Sequence, residues 1–269
     1  MPAMQVRTGS RVLVTGASRG IGKALAEAFA ARGCTLGLVA RSQDELAALA
    51  RALPGEGHAP LAADVGDREQ MSAAVERLGD CDVLVANAGV ASYGSFSGLA
   101  IDDVERMTRI NWLGTVYAVH AALPGMLEHR RGQVVIVSSG AGYRAFPEAA
   151  VYGATKAAQR AFGEALRHEL AGTGVSVTIV YPGEIATSLH THEKDSMPDW
   201  YRGGEDAAPA AELAKRVVAA VERDAPAVHY PPIVKSLRVA HGISPRLGDV
   251  LLRRLRGPSA APRRAGGRG

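Results

Sequence analysis

Short, almost wholly apolar runs alternate with longer helical patterns along most of this chain, and few folds accept that order. The runs are Arg11–Thr15, Thr35–Ala40, Ala59–Ala63, Val83–Ala86, Gln133–Val137 and Val175–Tyr181. Segments such as VLVT, LGLVA and VVIV lack the polar alternation of a half-solvated strand, so they predict strands covered on both faces, as in parallel sheets. Helical patterns fill the gaps at Ile21–Arg32, Gln43–Leu53, Arg68–Leu78, Ile101–His129 and Ala154–Ala171. Ala208–Arg223 adds a late helix and Ala227–Tyr230 a short last strand. Right-handed crossovers between such strands build an α/β, doubly wound Rossmann-like parallel sheet with helices on both faces. With no internal repeat or interior linker, one domain is expected over residues 10–232, after a lead of residues 1–9.

Composition narrows the partners. Hydrophobic residues make up 47% of the 269 and charged residues 22%, a globular balance. Aromatics, at 5%, are too few for the stacking platforms that hold single-stranded nucleic acid, so no nucleic-acid partner is expected. No apolar run approaches the roughly 20 residues of a membrane span. Met1–Arg11 has no secretory apolar stretch, and Cys34 and Cys81 cannot form a disulfide framework, so the expected compartment is the cytoplasm. The net charge of +4 hides an asymmetry: residues 233–269 hold nine Lys or Arg and one acid, Asp249, leaving a mildly acidic body.

Behind the first strand stands Thr15-Gly16-Ala17-Ser18-Arg19-Gly20-Ile21-Gly22, opening directly into a helix. Glycines there allow a tight turn and close approach to a pyrophosphate, and the helix N-terminus offers free N–H groups. At the end of the second strand, where a carboxylate would select NAD, the chain has Ala40-Arg41-Ser42. Arg41 and Arg19 together favour a 2′-phosphate, hence NADP(H) over NAD(H), unless Arg41 is simply a solvated charge. Asp64-Val65 and Asn87-Ala88-Gly89 fall at the ends of the third and fourth strands, where ligands bind in open α/β sheets. Asp64 would meet an adenine amino group or cap a helix; Asn87–Gly89 would underlie a ribose or form a structural turn.

Tyr152 and Lys156, four apart on a helix, share one face. An ammonium about 4 Å from a phenol, at an effective dielectric of about 20, favours phenolate by up to about 4 kcal/mol, or roughly three pKa units. Tyr152 is therefore expected to be acidified toward the range of general acid–base catalysis. Ser139, at the end of the fifth strand, would hold a substrate carbonyl against it. Asn111, mid-helix, would anchor a proton-relaying water or be an ordinary satisfied amide.

The order TGxxxGxG, DV, NAG, N, SS, YxxxK and PG resembles the short-chain dehydrogenase/reductase family in its compact oxidoreductase form, over about residues 10–230. The resemblance implies Asn111, Ser139, Tyr152 and Lys156 as a catalytic tetrad, Tyr152 as proton donor to a ketone, and Lys156 also on the nicotinamide ribose. It further implies that Pro182, Gly183 and Thr187 lie at the nicotinamide end, and that the chain pairs into a homo-dimer or homo-tetramer through helices 101–129 and 154–171. An NADP-dependent enzyme acting on a small carbonyl or alcohol is expected; a catalytically silent NADP-binding scaffold is the competing class. Tyr143, which lacks a lysine four residues on, reads as a pocket wall.

The remainder is polar or basic. Residues 184–206 suggest a lid, with Leu189, Met197, Trp200 and Tyr201 as apolar contacts. His190, His192 and Glu193 have metal-binding chemistry, but a polar lid is favoured and no metal is expected. This lid and the stretch past Pro231-Pro232 are similar to reductases of long-chain keto lipids, the 3-ketosphinganine reductase branch, implying a keto-lipid or acyl-type substrate. Residues 233–256 form a basic, partly apolar extension that either lies on an anionic membrane surface or, as favoured, packs one side on the body. Residues 257–269 read as a disordered tail.

Overall fold

The computed structural model describes residues 6, 8–187, 207–244, 246 and 250. Seven parallel strands form one sheet: β1 (Arg11–Thr15), β2 (Thr35–Ala40), β3 (Ala59–Ala62), β4 (Val83–Ala86), β5 (Gly132–Val137), β6 (Val175–Pro182) and β9 (Ala227–Tyr230). Their order is β3-β2-β1-β4-β5-β6-β9. The chain winds outward from β1 to β3, returns to β4 beside β1, and winds outward again. This is the doubly wound arrangement expected above. Two further residues, β7 (Ile185–Ala186), pair with β8 (Ala208–Pro209) and bracket the segment between them.

Alternation along each strand assigns its side chains to two cores, although most positions are apolar. Val12, Val14, Leu36, Leu38, Val135 and Val137 face α1 (Gly20–Ala30), α2 (Gln43–Ala52) and α7 (Ala210–Glu222). Leu13, Val39, Leu84, Val134 and Ile136 face α3 (Arg68–Leu78), α5 (Gly114–Glu128) and α6 (Ala150–Glu169). Helices α2 and α3 start where a side chain satisfies their free amides. Ser42 Oγ accepts from Glu45 N at 3.4 Å, and Asp67 Oδ1 accepts from Glu69 N and Gln70 N at 2.9 and 3.0 Å.

Three boundaries differ from the sequence expectation. The stretch 101–129 is not one α-helix: α4 (Ile101–Met107) passes into a π turn, Thr108–Leu113, before α5. Such a widened single turn has no composition signature of its own, so the sequence pattern does not reveal it. The next helix begins at Ala150 rather than Ala154, which puts Tyr152 inside its first turn. Past β9, α8 (Ile233–Ile243) buries Val234 but leaves Ile233, Val239 and Ile243 exposed. The proposed lid contacts Leu189, Met197, Trp200 and Tyr201, and the His190, His192, Glu193 group, lie outside the described residues, as does the tail 257–269.

Phe29, fully buried on α1, is in the core that joins α1 and α7 to the sheet. Phe29→Ala is expected to lower unfolding free energy by about 3–5 kcal/mol through transfer and cavity terms. Phe96→Ala, at a side chain 70% exposed, should fall within about 0.5 kcal/mol. Urea midpoints with unchanged m-values check both.

Candidate active site

A cavity of about 690 Å³ opens along the carboxyl edge of the sheet. Every residue that the sequence assigns to catalysis or cofactor binding lines it except Asn111, which is buried.

The phosphate-cradle end is built around the turn from β1 to α1. Gly16 adopts φ +66°, and a Cβ there would lie 2.9 Å from Ala88 Cα. A Cβ on Gly22 would meet Gly16 O at 2.1 Å, so neither position accepts a side chain. The turn is clasped from the neighbouring strand. Thr15 Oγ1 accepts from Asn87 N at 2.9 Å and Ala88 N at 3.1 Å, and Asn87 Nδ2 donates to Thr15 O at 2.8 Å. The Asn87 side chain thus braces the glycine turn rather than reaching into the cavity, and Ala88 and Gly89 present the backbone there. Thr187 sits over Gly20, whose Cβ would come within 3.2 Å of it.

Arg19, Arg41, Ser42 and Glu45 gather at the far end. Glu45 was not singled out from the sequence; its position three residues after the Ser42 cap, where a helix's first turn faces back to the strand end, was the signal. Asp64 lines the cavity through a local turn, its Oδ1 accepting from Gly66 N at 2.8 Å. The alternative of Asp64 as a helix cap is corrected, because Asp67 caps α3.

At the other end β5 and α6 meet. Ser138 Oγ donates to Lys156 O at 2.7 Å, locking helix to strand, while Ser139 Oγ accepts from Ala141 N at 3.1 Å and hydrogen-bonds the Tyr152 phenol. Lys156 Nζ donates to Val137 O at 3.0 Å and lies 5.8 Å from the Tyr152 ring centroid. Burial pushes the Tyr152 pKa up, with the Ser139 hydrogen bond acting in the opposite direction. Burial alone pushes Lys156 from 10.5 down to about 7. The expectation that an ammonium acidifies the phenol is therefore corrected: desolvation disfavours both charged forms, so each partner moves toward neutrality.

Asn111 belongs to the π turn. Its Oδ1 accepts from Val90 N at 2.8 Å, and its Nδ2 donates to Val90 O and Thr155 Oγ1 at 2.9 and 3.0 Å. Gln159 Nε2 and Thr115 Oγ1 both donate to its carbonyl, each at 2.9 Å. The amide is a hydrogen-bonded junction between the β4 loop and α6. Gly89 keeps the space beside it open: a Cβ there would lie 3.4 Å from Asn111 Oδ1 and 3.5 Å from Lys156 Nζ.

Tyr93 (ring centroids 5.9 Å apart) and Phe146 pack beside Tyr152, and Ile233 and Val234 add apolar surface to the cavity; none of them is a wall candidate in the sequence. Tyr143 is corrected from pocket wall to a stack outside the cavity, with its ring 4.2 Å from Tyr181 and its hydroxyl 3.0 Å from His229 Nε2. Burial pushes the thiols of Cys34 and Cys81 up to about 11 and about 12, which suits packing rather than reactivity. Among the described residues no group of His, Cys, Asp or Glu could hold a metal, and no helix is long and apolar enough to cross a membrane.

Comparison with known proteins agrees with this geometry. The chain is 41% identical over 188 residues to the glycine betaine reductase ATRR of Emericella nidulans, covering 68% of this chain but only 15% of that longer protein. A 3-oxoacyl-[acyl-carrier protein] reductase from Brucella melitensis with bound NAD superposes with a TM-score of 0.71 at 30% identity, over 84% of this chain and 91% of that one. A short-chain dehydrogenase from Burkholderia cenocepacia in complex with NADP gives 0.80 at 26% identity, over 95% and 100% of the two chains. The family model for short chain dehydrogenases matches residues 10–198, and with the doubly wound sheet and the cavity at its carboxyl edge this places the chain in the short-chain dehydrogenase/reductase family of oxidoreductases.

Proposed function

We propose that the chain is an NADP(H)-dependent carbonyl reductase, running in reverse as an alcohol dehydrogenase, with Tyr152 as proton donor and a keto-lipid or acyl-type small molecule as substrate. The observation that carries this reading is the convergence of Ser139, Tyr152 and Lys156 on the cavity that the glycine turn also lines.

The residues present fit a dinucleotide. Gly16 and Gly22 leave no room for side chains of their own, and Gly89 keeps the strip beside Lys156 clear. Gly16, Ser18, Gly20, Ile21 and Gly22 with the α1 N-terminus would hold a pyrophosphate, and Arg19 and Arg41 a 2′-phosphate. Asp64 and Val65 would flank the adenine, Asn87, Ala88 and Gly89 a ribose, and Pro182, Gly183 and Thr187 the nicotinamide end. When bound, the dinucleotide supplies or takes the hydride.

The protein's own groups handle the oxygen and its proton. Ser139 and Tyr152 would hold the carbonyl oxygen and stabilise charge developing on it. A raised phenol pKa keeps Tyr152 protonated at neutral pH, the form that reduction consumes. Lys156, with a pKa near 7, exchanges protons readily at that pH and would restore the one Tyr152 gives up. Asn111 would keep the β4 loop and α6 in register. A homo-dimer or homo-tetramer would form through α4–α5 and α6, which Trp112 and Phe162 join edge to face at 5.5 Å.

Tyr152→Phe is expected to cut ketone reduction about 10²–10⁴-fold while NADPH binding persists; loss of both together would overturn the assignment. Arg41→Ala should weaken NADPH binding about ten- to hundredfold, as expected for a charge-assisted phosphate contact, and leave NADH binding unchanged. Calorimetry of the two dinucleotides reads this directly.

The Lys156 shift has a stability consequence. In the unfolded chain the amine stays charged up to its ordinary value of 10.5, whereas in the fold it is neutral above about 7. Between those values unfolding takes up a proton, so this group's contribution to stability rises with pH. The difference in unfolding free energy between cofactor-free wild type and Lys156→Met is expected to climb in favour of wild type from pH 7 to 10. A flat difference in urea titrations would contradict the buried, neutral lysine.

A further inference from the structure

The start of α8 is part of the cavity, yet the elements that hold it there stand outside. Ile233 and Val234 line the same cavity as Tyr152. Val234, 3% exposed, is wedged between the turn that carries Ser139 and the end of β6. A Cβ on Gly140 would lie 3.4 Å from Val234 Cγ1, and one on Gly183 would lie 3.1 Å from its Cγ2. One helical turn later, Arg238 meets the Tyr143 ring, its guanidinium carbon 5.4 Å from the centroid. Gly140 and Tyr143 are three residues apart on one short turn, and Val234 and Arg238 four apart on one helix. Helix and turn therefore meet at two successive points.

The Tyr143 ring is itself fixed. It stacks on Tyr181 at 4.2 Å and 27°, its hydroxyl lies 3.0 Å from His229 Nε2, and His229 stacks on Tyr181 at 5.0 Å. Tyr181 and His229 stand opposite each other in the β6–β9 register, so this column is anchored in the sheet. A second guanidinium, Arg160, approaches the same ring at 5.8 Å while its Nε donates to Gly142 O at 3.1 Å. A planar cation on a rigid aromatic column is a geometrically specific anchor for a helix that otherwise keeps much of its surface in solvent.

We propose that α8 is the substrate-recognising wall of the cavity, clamped by Arg238 onto the Tyr143–His229–Tyr181 column, and that it selects carbonyl compounds carrying an extended apolar chain. The proposal rests on the reductase reading above and specifies its substrate class. Tyr93, Phe146, Ile233 and Val234 would offer that chain apolar surface in the cavity that Tyr152 also lines, and Ile233 is 45% exposed. Ile233 and Val234 determine specificity by contact. Arg238 and Tyr143 are positioning residues, since neither lines the cavity.

The test compares NADPH-dependent reduction of butan-2-one and of undecan-2-one by the full chain. In wild type, kcat/KM is expected to rise by up to about fourfold for each further methylene that the channel buries. Arg238→Ala should raise KM for undecan-2-one at least tenfold with kcat little changed, leave butan-2-one kinetics within twofold, and be partly rescued in Arg238→Lys, which keeps a cation over the ring. Equal losses on both ketones, or none, would overturn the clamp. Binding of undecan-2-one to cofactor-free protein, followed by ligand-observed NMR, separates this proposal from the redox reading. A wild type that binds the ketone and an Arg238→Ala variant that binds it tenfold more weakly would uphold the wall even without turnover. Binding that is absent from wild type, or unaffected by the substitution, would sink it.

Discussion

The crevice on which this protein's chemistry depends is held open by one hydroxyl and one amide. Strands β1 and β4 are neighbours whose following segments leave the sheet in opposite directions, the point at which open α/β sheets bind ligands. The backbones that rim this gap would be free to close over it or drift apart. Thr15 Oγ1 and Asn87 Nδ2 prevent both, tying the first residues of the glycine turn to the β4 loop through 2.8–3.1 Å hydrogen bonds. The close approach of Gly16 and Gly22 to their neighbours is possible only because that clasp sets the spacing.

At the other end of the cavity the governing effect is desolvation. Lys156 is 4% exposed, and burial is the sole cause of its shift. It has a neutral partner in the Val137 carbonyl, which an amine in either charge state can donate to. The same burial raises Tyr152, so the two groups sit as a protonated phenol beside an amine near its midpoint at neutral pH. An ion pair would have required a charge that the site does not stabilise.

The parts of the cavity differ in how firmly they are built. Its floor is the sheet edge, closed by parallel pairing and two cores. Its outer wall is a short helix that reaches the body through Val234 and Arg238.

The primary structure by itself determined the sheet. Short runs with almost no polar alternation, spaced by helical patterns, point to a parallel sheet covered on both faces, and strand boundaries read from them agree with the structure to within a residue. The strand–glycine–helix pattern and the order of the later motifs were enough to gather the candidate residues at one edge, since carboxyl ends of parallel strands share a side. Only the tertiary structure decided what each group does there. The π turn at Asn111 has no composition signature of its own; the amide's partners at Val90 and Thr155, 21 and 44 residues away, are invisible to local pattern. Helical spacing put Lys156 beside Tyr152, but the sign of their mutual influence depends on how much water both lose, a property of the whole packed interior. Tyr143 likewise reads as a pocket residue from its nearness to Ser139, until His229, 86 positions later, draws its hydroxyl to the other side of the turn.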